Sequence, residues 1–519
     1  MRVLNGGPNV QVEEAVLFPF DDQCMPFRYR LQVGLVPGTN PYRGHERVLE
    51  TGPSGSADHL GIAFYGTVIR VDGQFRMWYR ALGDDDGVVG YRIAYAVSDD
   101  GINWEKPSLG LTSFNSSTDN NLVALDSEYS SEMNAILVLH DPEDPDPDRR
   151  FKLINEVSPF FNIAAFSPDG LRWIMSPHNP ILKHNTVEPG GIMKFDGAYY
   201  LTGQGGNVGS KRALVTYMSY DFEQWTDGVA VGLRRDRPPY RQLPGPHAGE
   251  QVHLGASLWN RGNVILGVYG QWHGESNDRA FLSMDLGLVV SNDGLHYAEP
   301  VPDFQIISAY EINPNAGGGM VPMPCLEQGQ GFENVGDETF IYYAPWRDYC
   351  HGSFVCVARW PRDRLGYAQV VPDPSPDLLT PDDTHSMFWA RHIDVPIDQT
   401  DPHMVSCPIQ LENPDCHLFV NADGLSEQAE LLVEVIDQQF RPVPGYAGSD
   451  SIPLTESGLR QMVTWRSGPR LAGLDQPIRI KVTWTGSRQD AHLFAVYLSE
   501  TEQHDANHEI VPTSSRSPR

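Results

Sequence analysis

Four acidic residues stand just before apolar, strand-like runs at separated points of the chain: Asp58 in SADHLG, Glu132 in YSSEMN, Glu188 in HNTVEPG and Glu250 in GEQVHLG. Carboxyl groups brought together can share acid–base work, one giving a proton while another attacks or activates water. A third acid close by raises the pKa of the first by like-charge repulsion and keeps it protonated. Polar and aromatic residues accompany these acids. His59, Asn185 and His253 flank the same strand entries, and Trp272 and His273 end the run GVYGQWHGES, so they form a candidate set for binding a flat, hydroxylated ligand. A fifth candidate entry, NPNAGGG before MVPMP, carries no acid and has a glycine run that leaves space.

Such residues act together only if the fold brings distant strand entries to one place. A repeat in the sequence supplies the means. AYAVSDDGINWEKP (94–107), AAFSPDGLRWIMSP (164–177), TYMSYDFEQWTDG (216–228) and LVVSNDGLHYAEP (288–300) each run from a strand into Ser-x-Asp, a tight turn and a returning aromatic. The Asp can accept turn N–H groups, three copies supply Gly for a positive φ, and the Trp or Tyr packs back over the strand pair. Trp104, Trp173 and Trp225 are therefore expected to be structural. A weaker fifth copy, VCVARWPRDRLGYAQ (355–369), keeps the spacing through Trp360. Units of about 60 residues suit four-stranded sheets arranged radially, so the expected fold is all-β, a five-bladed β-propeller over 51–372. A Pro/Asp-rich link, PDPSPDLLTPDD, leads to short strands at sandwich spacing over 380–500, followed by a tail, 501–519, expected to be disordered. Residues 1–50 are expected to pack on the propeller or close it, with FRYRLQVGLV (27–36) pairing in the last blade.

Composition narrows the partners. The chain has 519 residues, with 38 basic and 67 acidic side chains and a net charge of −29. That balance disfavours nucleic acid and anionic membrane surfaces, which need a basic footprint. No apolar run reaches the length of a membrane span. The start lacks a signal-peptide layout, which suits a cytoplasmic protein or an exported one whose leader is absent from this chain. Six cysteines without CxxC spacing read as buried or idle thiols, with one or two disulfides open if the protein is exported. GDDDG (83–87) and DPEDPDPD (141–148) could hold a structural Ca²⁺ but read first as solvated turns, and no cofactor is implied. GQGGNVGSK (203–211) lacks phosphate-loop spacing, although Lys211 and Arg212 could hold a phosphate.

FRMWYRA, IAYAVSDDGINWEKPSLGL, DPEDPDPDRRFKL and AAFSPDGLRW, with HLFVNAD, LLVEVIDQQFRPVPGY, VTWRSG and IRIKVTW further on, resemble the five-bladed propeller glycoside hydrolases that act on fructans, arabinans and mannosides. The likeness runs from about 60 to 498 and is nearest to bacterial glycoside-hydrolase-family-32-like proteins with a C-terminal β-sandwich. It implies cleavage or transfer of a glycosyl unit, with a furanoside such as a fructosyl or arabinosyl residue as substrate and an oligo- or polysaccharide as partner. By blade order it assigns the base or nucleophile to Asp58, the pKa-tuning acid to Glu132 and the general acid to Glu188, with Glu250 in reserve. The Asn-Asp-Pro-Asn, Arg-Asp-Pro and Glu-Cys motifs of family 32 are absent, and His140-Asp141-Pro142 matches the second only superficially. A glycoside phosphorylase and a non-catalytic carbohydrate- or protein-binding propeller are the alternatives.

Overall fold

The computed structural model describes residues 1–38, 46–125, 133–157, 161–182, 187–205, 211–236, 247–278, 281–309, 325–345, 354–371, 401–413 and 415–501. Glu132, Asn185, the MVPMP run, the 372–383 link and all but the first residue of the tail lie outside them. Among the described residues the chain divides into two compact units, one formed by 37–362 and the other by 1–36 together with 363–501.

The larger unit is a ring of five antiparallel sheets. Their inner strands are Gly61–Val71, Met133–His140, Val187–Phe195, Gly249–Asn260 and Leu326–Val335. Each packs against the next, and the fifth returns to the first through the parallel pair Gln330–Thr67, closing a five-bladed propeller. Blade five takes its outermost strand, Glu46–Leu49, from the N-terminal side, antiparallel to Val355–Pro361. The segment 27–36 does not pair there. Phe27–Tyr29 joins His403–Val405 and Leu31–Leu35 joins Gly366–Val370, because Leu31, Ala368 and Val370 share the apolar core of the smaller unit. Residues 363–371 thus belong with the second unit rather than with the propeller. That unit is a pair of sheets of six and seven strands around a core containing Trp465 and Trp484.

The repeated turns hold the propeller's edge as their chemistry predicts. In blade one, Ser98 Oγ accepts the Gly101 N–H at 2.9 Å, while Asp100 Oδ1 accepts from Ile102 and Asn103 at 2.8 and 2.7 Å. Ser167/Asp169, Ser219/Asp221 and Ser291/Asp293 repeat this arrangement. Gly101, Gly170 and Gly294 take a positive φ at the third position, and Phe222 does so in blade three (φ 69°). The turn carbonyls also bind neighbouring blades: Tyr342 of blade five donates to Gly101 O at 2.8 Å, and Trp78 of blade one to Gly170 O at 2.7 Å. The fifth copy lacks the turn, and its Trp360 is buried on the third strand itself.

Inside the ring, polar side chains join the inner strands. Thr67 Oγ1 bonds both Ile136 O and Val138 N at 3.0 Å. Gln330 of blade five reaches Ile192 of blade three, accepting from its N–H at 2.6 Å and donating to its carbonyl, so this amide bridges two non-neighbouring blades. Blades three and four meet backbone to backbone: a Cβ at Gly190 would lie 1.4 Å from Leu254 O.

Asp100 carries a carboxylate lowered to about 2, with burial opposed by N–H bonds from Asn103 and Ile102 and by Ser98. Asp100→Ala is expected to destabilise the propeller by about 1 kcal/mol, the scale of a lost cap. Because the folded-state pKa is depressed, the gap between wild type and variant is present above pH 4 and closes as pH falls toward 2. Chemical denaturation at pH 7 and pH 2.5 measures it.

Candidate functional site

Every inner strand carries a register shift in its first half: between Ala63 and Thr67, Met133 and Ile136, Pro189 and Gly191, His253 and Ala256, and Gln328 and Phe332. Bulges bend a strand and re-aim its side chains, and they gather beside working sites. Here five bulges at one end of one ring turn polar groups toward each other.

Blade one contributes Tyr65 and Arg80, blade two Asn134 and Glu156, blade three Glu188, blade four His253 and blade five Glu327. Arg80 is buried, with its guanidinium 3.7 Å from the Tyr91 ring centroid and 5.3 Å from that of Tyr65. Its Nε donates to Met133 O at 3.2 Å, and among the described residues this side chain makes no other hydrogen bond. Glu156 is buried, and its Oε2 accepts from Asn134 Nδ2 at 2.6 Å. Burial, and then the charge of Glu188, push its carboxyl up to about 8 against the opposing Asn134 bond and Arg80. Glu327 is fully buried and accepts the Phe64 N–H at 3.1 Å. Burial raises it to about 7, offset by Arg80, a Tyr65 hydrogen bond and Phe64. The Tyr65 phenol is itself pushed far up by loss of solvent and then by Glu327 and Glu188. Its ring faces that of His253 at 6.5 Å. Near neutral pH this cluster holds one protonated acid, a second near its midpoint and a cation. It suits proton transfer to a neutral ligand.

Of the expected site residues, Glu188 and His253 fall in this cluster. Asp58 does not. It is 1% exposed, paired with Lys106, and accepts from Tyr79 at 2.9 Å, Ser56 at 2.9 Å and Gly52 N at 3.0 Å. Burial would raise its pKa, but Lys106, Tyr79 and Ser56 lower it, so Asp58 is a structural anion with its oxygens occupied. His59 caps the same loop, its Nδ1 2.7 Å from Ser56 O. Trp272 offers no stacking face, since it is wholly buried between His247 and His253, each 5.9 Å away, with Arg212 over its ring at 4.4 Å. Glu250 and His273 pair with one another at 2.8 Å on blade four. Lys211 donates to Ala248 O at 2.6 Å. Asp141 ties blades two and three through Lys194 at 2.9 Å and Tyr199 at 2.6 Å. Asp84 and Asp146 are spent on turn N–H groups, and among the described residues no group of three or more His, Cys, Asp or Glu is arranged to hold a metal. The five described cysteines are buried and unpaired with each other by disulfides.

No protein-family model and no curated protein matches the chain. Solved structures similar in shape include one from work on the GH130 family of mannoside phosphorylases, containing glycoside hydrolases that target β-1,2 mannosidic linkages in Candida mannan. It has 15% identity, a TM-score of 0.43, and covers 66% of this chain and 98% of that one. A glycosyl hydrolase from Bacteroides ovatus has 12% identity and a TM-score of 0.41 over 64% and 94%. An endo-1,4-beta-xylanase from Bacteroides thetaiotaomicron has 14% identity and a TM-score of 0.35 over 60% and 90%. Likenesses of this size carry no argument about activity, which rests on the residues above.

Glu156, Glu327, Tyr65 and Arg80 escape a reading confined to residues before inner strands. Glu156 closes the second strand of its blade, FKLINEV, and Glu327 opens LEQGQGFENV, a strand too polar and glycine-rich to suggest a ring interior. The signal of the two glutamates is a charged residue inside a strand at the mouth end.

A carboxyl whose folded pKa lies above its unfolded value favours folding while protonated, and that contribution is lost as pH rises from about 4.5 to about 8. Glu156→Gln should therefore be more heat-stable than wild type at pH 8.5, and the difference should shrink toward pH 5. Melting curves across that range provide the check.

Proposed function

We propose that the chain cleaves a glycosidic bond at the mouth of the propeller. Glu156 acts as the general acid toward the leaving oxygen, and Glu188 as the carboxylate that attacks the anomeric carbon or activates water. The observation that supports this most is that Glu156 is buried with its Oε2 taken by Asn134, while the charge of Glu188 from the adjacent blade adds to burial in holding its proton, the division of labour that the chemistry requires. Glu327, buried with Tyr65 and Arg80, is the third acid, and together with Glu188 it keeps the Tyr65 phenol protonated. The substrate is a neutral oligo- or polysaccharide, with a furanoside unit as the sugar to which the sequence resemblance points. No organic cofactor enters the scheme.

Phosphorolysis has one observation in its favour. Among the described residues the Arg80 guanidinium makes no hydrogen bond beyond that of its Nε, and it acts on both Glu156 and Glu327, where an anionic co-substrate could use it. Phosphate dependence of turnover separates the two reactions.

The test is a screen of aryl furanosides, fructans and arabinans with product NMR, with and without phosphate. Glu156→Gln is expected to lower kcat by about 10²–10⁴-fold on an unactivated glycoside. The loss should be much smaller on a 4-nitrophenyl glycoside, whose leaving group needs no proton. Glu188→Gln should lose on both. The wild-type rate should fall as pH rises past about 8, where Glu156 gives up its proton. Sugar binding without turnover by any substrate would favour a non-catalytic propeller instead.

A further inference from the structure

Glu250 carries an arrangement that the acid–base scheme leaves unused. It opens the inner strand of blade four, three residues before His253, or about 10 Å further toward the mouth at the rise of a β-strand. Its Oε2 receives two cationic groups, Arg235 Nη2 at 2.8 Å and His273 Nδ1 at 2.8 Å. No hydrogen bond to Oε1 is made by any described residue, and the side chain is 45% exposed. Both partners are anchored from behind. The Arg235 side chain is 1% exposed and also bonds Gln251 O at 3.3 Å, Trp272 O at 3.4 Å and Asp303 at 3.2 Å. His273 Nε2 lies 3.3 Å from Asp285, a buried carboxylate fixed by Gln305 at 2.9 Å and Ala309 N at 2.6 Å.

Surface ion pairs are loose, because two long side chains must be ordered in water for little gain. In this one, the cations are held by strand backbone and a buried acid, and only the acceptor faces outward. One oxygen is saturated and oriented, and on a side chain 45% exposed the other keeps its lone pairs unspent among the described residues. A carboxylate accepts from hydroxyls and repels anions, and two cations already occupy its other oxygen, so in a glycoside-cleaving site the fitting ligand is a sugar hydroxyl.

We propose that Glu250 is a specificity-determining residue: its Oε1 accepts a hydroxyl of a sugar unit beyond the one cleaved, with His273, Asp285 and Arg235 as positioning residues. The proposal rests on the reading of the site as glycoside-cleaving, and it makes Glu250 a reader of chain length rather than an acid or base.

The test compares the trisaccharide of the sugar found active in the screen with its 4-nitrophenyl monoglycoside. Glu250→Gln should raise KM for the trisaccharide by about tenfold or more, the range for a hydrogen bond to a charged group, with a smaller effect on the monoglycoside. His273→Gln should shift KM the same way, by less. An equal loss on both substrates, or one carried by kcat, would overturn the proposal. If the wild type turns over nothing, the cleavage reading fails by itself. Calorimetric titration with the trisaccharides of the screen then decides this one: tenfold weaker binding by Glu250→Gln supports it, and equal binding, or none by wild type, overturns it.

Discussion

Three carboxyl groups, Glu156, Glu188 and Glu327, are drawn together at one end of the ring around the buried guanidinium of Arg80, and the rest of the propeller must accommodate them. Raising Glu156 from 4.5 to about 8 corresponds to a free-energy difference of about 5 kcal/mol between its charged and neutral forms. A domain's whole stability is about 5–15 kcal/mol. A side chain kept only for packing would be replaced by Gln or Leu at lower cost. The burden is consistent with chemistry that needs a proton held near neutrality.

Rigidity makes such crowding possible. At the periphery, the Ser-x-Asp turns bind their own N–H groups, and those of blades one and two lend a carbonyl to the preceding blade. At the centre, Thr67 and Gln330 stitch inner strands together, and glycines at 190 and 191 let two backbones touch. Between these belts, the bulged strand starts are the segments freed from regular pairing. The ring fixes the frame, and the bulges aim the acids.

Much of this frame is legible in the sequence because its signals are local. The turn motif reports the first four blades through residues adjacent in the chain, and apolar runs that follow an acid mark their inner strands. The site is less legible because burial and charge coupling are tertiary. Asp58 and Glu188 look alike before their strands, yet Lys106, 48 residues from Asp58, neutralises one while Glu188 meets Glu156 from the neighbouring blade. Trp272 reads as a sugar platform until His247 and His253 are found on it. The strand at 31–35 could have completed blade five by its pattern alone, and only its pairing with 366–370 assigns it to the other unit.

The most direct test of the central claim is a ¹³C NMR titration of the Glu156 carboxyl, in wild type and in Glu188→Gln. A midpoint near 8 is expected in the first, moving down by a readily measured amount once the Glu188 charge is removed. A Glu156 midpoint in the ordinary carboxylate range near 4.5, unmoved by the substitution, would contradict it.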